Sequence, residues 1–292
     1  MTLLATSPEN IRSDVRIAPR LLWIFDGGLE PELEAILRKH DHRLWFTWVY
    51  SGTEYAHVYS EGPLLVESRA DSPLLDAFIS SWAAAHWGGL LLSAAPFETV
   101  LNHLRALKHA QLPDGTTSLL RLHEPRALRG FAQGADAYTL NTLLGPIDHW
   151  YWCEWNEGQG DWYRLDHPAP GHGVVATDSP NVSTALLDAL DGQRIDYRNR
   201  GFARRLRAAN IPMLRDADDA LLAQAVQKHA AEAPSRGFVS DDDVYGFLEV
   251  YFRYHRQLFE PSSRLADVMA APDVPAWRRL QQAHALMEET SA

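Results

Sequence analysis

From residue 21 onward, apolar positions switch repeatedly between short continuous runs and helical spacing, which is the pattern of strands layered against helices. Residues 21–25 read as a buried strand closed by Asp26-Gly27-Gly28. Residues 30–39 then set Leu33, Ile36 and Leu37 on one helical face, with Pro31 suited to the first turn. Trp45, Phe46, Trp48, Val49 and Tyr50 form a β-rich run, and residues 64–66 a short strand after the Gly62-Pro63 break. Ser72 is placed to cap a helix that opens at Pro73, carries Leu75, Phe78, Ile79 and Trp82 on one side, and stops at Trp87-Gly88-Gly89. Residues 90–92 are a further buried strand. Phe97, Val100, Leu101, Leu104 and Leu107 describe an amphipathic helix starting near Pro96. Asp114-Gly115 supplies the positive φ angles of a tight hairpin flanked by residues 110–112 and 116–123. The aromatic stretch 150–163, with its Gly-rich centre, reads as a second hairpin.

The organisation expected from this pattern has four parts. Residues 1–19 lack periodicity and read as a flexible N-terminal arm. Residues 20–164 form an α/β (α+β) domain, a mixed sheet flanked by helices. Residues 165–182, rich in Pro, Gly and Asp, read as a linker. Residues 183–292 read as a smaller, all-helical lobe. Its helical spacings are Leu221, Leu222, Ala225 and Val226; Val244, Phe247, Leu248, Tyr251, His255, Leu258 and Phe259; and Trp277, Leu280, His284 and Met287. The 292 residues suffice for two cores, and no internal repeat points to a solenoid.

Charge narrows the partners. With 27 Lys and Arg against 38 Asp and Glu, the net charge of -11 repels phosphate backbones and anionic membrane surfaces, so neither nucleic acid nor a membrane is expected as a partner. The first twenty residues lack the apolar core of a secretory signal, and no segment approaches the uninterrupted apolar length of a membrane span, so the cytoplasm is the expected location. Cys153 is the sole cysteine, which excludes an intramolecular disulfide and every Cys-based zinc pattern; it reads as a small apolar residue in an aromatic strand.

Known catalytic spacings are missing: there is no G-x-S-x-G elbow, Walker A loop, H-E-x-x-H or strand-linked G-x-G-x-x-G. His40 and His42 flank Asp41 without an evident third metal ligand. His103 and His109, six apart, do not share a helix face. Asp241-Asp242-Asp243 reads as a helix start, with Ser240 as cap and Asp243 at the capping-box position. Arg198, Arg200, Arg204, Arg205 and Arg207 read as a solvated face, the alternative being a grip on an acidic partner. Residues 121–126 gather four ionisable groups at a strand end. The structural reading pairs Arg121 and Arg126 with Glu124 or Asp26 and lets Pro125 open a helix; the catalytic alternative is a hydrolase or transferase using His123 as base with Glu124 and Arg121 beside it.

Six blocks, in order and spacing, resemble the type VI secretion effector adaptors, also called Tap or TEC chaperones. They are Leu22-Trp23-Ile24-Phe25-Asp26-Gly27; Glu61-Gly62-Pro63-Leu64-Leu65-Val66; Trp87-Gly88 with Leu90-Leu91-Leu92-Ser93; His103-Leu104-Arg105; Pro113-Asp114-Gly115; and Arg121-Leu122-His123-Glu124-Pro125-Arg126. The family pattern usually reads Arg-Phe-Tyr-Asp-Pro-Arg at the last block, so the two arginines and Pro125 carry over directly. The resemblance spans roughly residues 20–155. It implies an adaptor that binds a cognate effector toxin in the cytoplasm and loads it onto the valine-glycine-repeat (VgrG) spike protein or its tip, without catalysis, cofactor or metal. Asp26, Trp87, Gly88, His103, Arg105, Arg121, Pro125 and Arg126 are the residues it marks as structural or partner-binding. An immunity protein that neutralises a toxin is the remaining alternative.

Overall fold

A computed structural model describes residues 3–156, 159–169, 173–176, 179–258 and 263–291. Strand β1 (Leu3–Thr6) leads into helix α1 (Pro8–Ile17), whose Ser7 cap accepts a hydrogen bond from Asn10 N at 3.3 Å. Residues 3–17, expected as part of a flexible arm, therefore belong to the fold, and Ile11 and Val15 of α1 are buried. Two apolar residues four apart are enough to seat one helix face but too few to stand out as a periodic signal.

The chain continues through β2 (Leu21–Asp26), α2 (Leu33–His40), β3 (Trp45–Trp48), a 3-10 segment (Ala56–Glu61) and β4 (Pro63–Ser68). Then follow α3 (Leu74–Ala77), prolonged by a π-helical turn (Phe78–Trp82), β5 (Gly88–Leu92), α4 (Phe97–Ala106) and the small hairpin β6 (His109–Gln111) and β7 (Thr117–Leu119). Helices α5 (Pro125–Gly134) and α6 (Ala137–Leu144) precede the long hairpin β8 (His149–Asn156) and β9 (Gln159–Asp166). The main sheet has seven strands in the order β1-β9-β8-β5-β2-β4-β3. Its pairings are antiparallel throughout, where a mixed sheet was expected. No two neighbours in it are joined by a single crossover α-helix, the connection that makes parallel pairs.

Alternation along the strands sends side chains to two cores. Leu22, Ile24, Leu65, Leu91, Trp150 and Trp152 face a layer with α4, α5 and α6, while Trp23, Phe25, Leu64, Val66, Leu90 and Tyr151 face a layer with α1, α2 and α3. Because both faces of β2 are covered, all six of its residues are buried, which is why it reads as a continuous apolar run.

The chain divides into two compact units, Met1–Gln193 and Arg194–Ala292, and the division falls within helix α7 (Thr184–Ala208). Residues 165–182 are thus not the boundary. β9 runs to Asp166, Gln111 N bonds Pro180 O at 2.9 Å, and Val182 N bonds Gln111 O at 2.8 Å, tying the segment to β6.

The second unit continues with α8 (Asp219–Glu232), α9 (Asp241–Arg253), α10 (His255–Leu258), α11 (Arg264–Ala270) and α12 (Ala276–Ser291) around Leu206, Val226, Phe238, Val244 and Leu248. The helical run expected over residues 244–259 breaks at Tyr254, and Phe259 lies outside the described residues. Ser240 Oγ accepts from Asp243 N at 3.1 Å, the cap read from the sequence.

Candidate functional site

The aromatic and glycine pattern at the ends of β2 and β5 builds a tight corner. Beyond Asp26, a Cβ on Gly27 would lie 2.3 Å from Ser60 O and 2.4 Å from the Trp48 ring, so only glycine fits. Gly88 has φ +152°, and a Cβ there would meet Ile24 O at 1.9 Å. The half-buried Trp87 stacks on Trp82 with centroids 5.4 Å apart, and its carbonyl accepts from Asp26 N at 2.7 Å. These contacts hold the Asp26 carboxylate in a site where it is only 3% exposed.

Two side chains from beyond β7 complete the cluster. Arg121 donates through Nη2 to Asp26 Oδ2 at 2.9 Å, and Gly28 N donates to Oδ1 at 3.0 Å. His123 Nε2 stands 3.6 Å from the same Oδ2, outside hydrogen-bond range, and has no hydrogen-bond partner among the described residues. Burial pushes the His123 imidazole down from 6.5 to about 4; Asp26 opposes that shift and Arg121 adds to it. His123 is therefore neutral at pH 7, with Arg121 neutralising Asp26. The gap beside His123 is walled mainly by Ile24, Val49, Leu104, Leu107, Leu120 and Leu122, with Tyr50 and Lys108 also lining it. The Asp26–Arg121 pair ties the end of β2, and through the Trp87 carbonyl the start of β5, to the segment before α5.

The other marked residues fall into separate places. His103 is fully buried, bonds Leu143 O through Nε2 at 3.0 Å, accepts from Ala176 N through Nδ1 at 3.0 Å, and is likewise pushed down to about 4, chiefly by burial. Arg105 donates to Val49 O at 3.1 Å and Ser51 O at 2.7 Å, closing the turn after β3. Pro125 opens α5, with Glu124 at the cap position and its N bonded to Arg121 O at 3.1 Å. The Arg126 side chain lies outside the described residues. The structure thus joins Asp26, Trp87, Gly88 and Arg121, adds His123, and leaves His103 and Arg105 as separate staples.

No group of three or more His, Cys, Asp or Glu is placed to hold a metal among the described residues. The His40 ring packs on Trp82 at 4.9 Å, and Asp41 is bound by Arg43 through Nε at 3.0 Å and Nη2 at 3.2 Å, which hold its carboxyl far below the usual range. In the basic cluster, Arg198 pairs with Asp241 at 3.4 Å, Arg205 lies over the Tyr245 ring at 3.6 Å, and Arg207 donates to Leu214 O and Ala217 O at 2.7 Å. These three arginines brace the helical unit. Sequence reasoning missed a network in which Tyr151 donates to Asp14 at 2.8 Å and Arg164 joins Asp14 at 3.1 Å to Asp166 at 2.8 Å, with His149 on Asp166 at 2.7 Å. Its bonded partners are up to 150 residues apart, beyond any local spacing.

With this geometry in view, one comparison bears on the site. Residues 21–141 match the family described as a domain of unknown function, DUF4123. The match begins at the first residue of β2, ends within α6, and takes in Asp26, Trp87, Gly88, His103, Arg105, Arg121, Pro125 and Arg126. No curated protein and no solved structure matches the chain. Among the described residues, no helix is long and apolar enough to cross a membrane.

Proposed function

We propose that this chain is a cytoplasmic adaptor that binds a cognate type VI secretion toxin and loads it onto the VgrG spike, without catalysis of its own. The observation that carries the reading is the set of six adaptor-like blocks, all of which lie inside the stretch matched by the family. The Asp26–Arg121 tie supports it, because the most suggestive ionisable pair is spent on joining the end of β2 to the segment before α5. The net charge of -11 supports a protein partner over nucleic acid or an anionic bilayer. The test is to express a candidate type VI toxin from the same genome with and without this chain: the adaptor reading expects soluble toxin only when both are present, and toxin equally soluble alone would count against it.

The enzyme reading rests on the unpartnered His123 Nε2. It predicts that His123→Ala abolishes function while toxin binding is unchanged. An immunity protein would form a complex with the toxin that excludes the spike.

A further inference from the structure

Helix α4 carries His103 into the interior of the first unit, where the ring is fully buried and both of its nitrogens are engaged. Nε2 donates to Leu143 O at 3.0 Å, and Nδ1 accepts from Ala176 N at 3.0 Å. A backbone N–H can only donate, so the ring is the neutral tautomer with its hydrogen on Nε2. An imidazolium carries hydrogen on both nitrogens. It keeps the bond to Leu143 O and turns a second N–H against that of Ala176.

The packing decides which side gives way. Gly145, at φ +49°, lies flat against the ring, where a Cβ would be 2.2 Å from His103 Cε1. The ring is thus wedged between that turn and its bond to the end of α6, and a close-packed interior leaves it no room to swing. Residues 173–176 are seated less firmly. None of the four is buried, and Val174 is 78% exposed. Gly173 rests backbone to backbone on Gly145, where a Cβ would lie 1.4 Å from the Gly145 carbonyl oxygen. A segment with so few apolar contacts opens at low cost while the core beneath it stays closed. Beyond it the chain is fastened again, by the bonds of Gln111 with Pro180 and Val182. The titratable group facing His103 is His167, just past β9, whose own Nδ1 accepts from Ala169 N at 3.0 Å. Burial is the main force against charge on His103, and His167 adds to it.

We propose that residues 173–176 form an acid-released strap: a proton taken from solvent at His103 Nδ1 breaks the bond from Ala176 N, and these residues lift from the ring while Val182 stays fastened to β6. Lifting bares the edge of His103 and the Gly145 turn, so a face of the first unit is covered at neutral pH and open in acid. The device is independent of the adaptor reading.

Linkage sets the size of the effect. A ring held near 4 under the strap and near 6.5 without it raises the open population about twentyfold between pH 7 and pH 5; the bared ring keeps part of its burial, so about tenfold is expected. The test is amide hydrogen exchange of the full chain followed by NMR, expressed as protection relative to an unstructured peptide at the same pH. Protection at Ala176 should fall about tenfold from pH 7 to pH 5, while that at Val182 changes by less than about twofold. In His103→Gln, whose amide can accept from Ala176 and donate to Leu143 without titrating, the fall should vanish. Constant protection at Ala176, an equal fall at Val182, or a fall that persists in the folded variant overturns the strap. If the variant does not fold, the ring nitrogen shifts of wild-type His103 replace it: hydrogen on Nε2 at pH 7 is expected, and hydrogen on Nδ1 overturns the proposal.

Discussion

Replacing Arg121 with leucine should leave a buried carboxylate without its countercharge. Asp26 would keep only the Gly28 N–H at 3.0 Å and the neutral His123 at 3.6 Å. Removing one partner of a fully enclosed ion pair costs about 3–5 kcal/mol. Half of the Arg121 side chain is solvated, at 49% exposure, so part of that interaction is already screened. A loss of about 2–3 kcal/mol at pH 8 is therefore expected. The deficit should shrink at pH 5, because Arg121 is one of the two causes holding His123 low, and Asp26 alone favours the imidazolium. Asp26→Asn/Arg121→Leu should recover part of the loss, since neither charge is then left alone. Urea unfolding followed by tryptophan fluorescence reads the correct unit, as nine of the ten tryptophans precede residue 194. A change below about 0.5 kcal/mol at pH 8, the scale of a surface pair, or a deficit that grows at pH 5, would refute the argument.

Acid should weaken the first unit before its carboxylates titrate. His103 and His123 both have folded values near 4 against the ordinary 6.5, so the unfolded chain binds the extra protons. Stability is full above pH 6.5 and falls as pH descends from 6.5 towards 4, by roughly 3 kcal/mol for His103 and in the same direction for His123, and unfolding midpoints measured along that range should trace the loss. Gly88→Ala should destabilise the first unit by several kcal/mol or prevent folding, because its Cβ would sit 1.9 Å from Ile24 O; a melt within 2 °C of wild type, roughly the shift of a sub-kcal/mol change, would contradict this. Cys153, buried with its thiol pushed up to about 12 by burial, should resist thiol reagents at pH 8 until the first unit is unfolded.

The legibility of the chain followed the range of the forces involved. β2, β4 and β5 stand out because burial on both faces writes an unbroken apolar run. The small hairpin is announced by the Asp114-Gly115 pair, although only Gly115, at φ +82°, takes the positive angle expected of both. Ser240 is readable because a cap is a three-residue affair. The Asp26–Arg121 pair was one of the pairings open to residues 121–126, yet nothing local could choose it over Glu124, since its members lie 95 positions apart. The roles of His103 and of β1 with α1 were hidden for the same reason: His103 is held by Leu143 and Ala176, and β1 is ordered by β9 from the far end of the first unit. The segment 165–182 misled through its composition, which signals irregular backbone but says nothing of where that backbone is fastened.

Purifying the tagged chain together with candidate type VI toxin and spike proteins from the same genome, and resolving what is retained by size-exclusion chromatography, tests the adaptor proposal most directly. The account predicts a complex containing the toxin, joined by the spike when all three are present. Elution of the chain free of both proteins would contradict it.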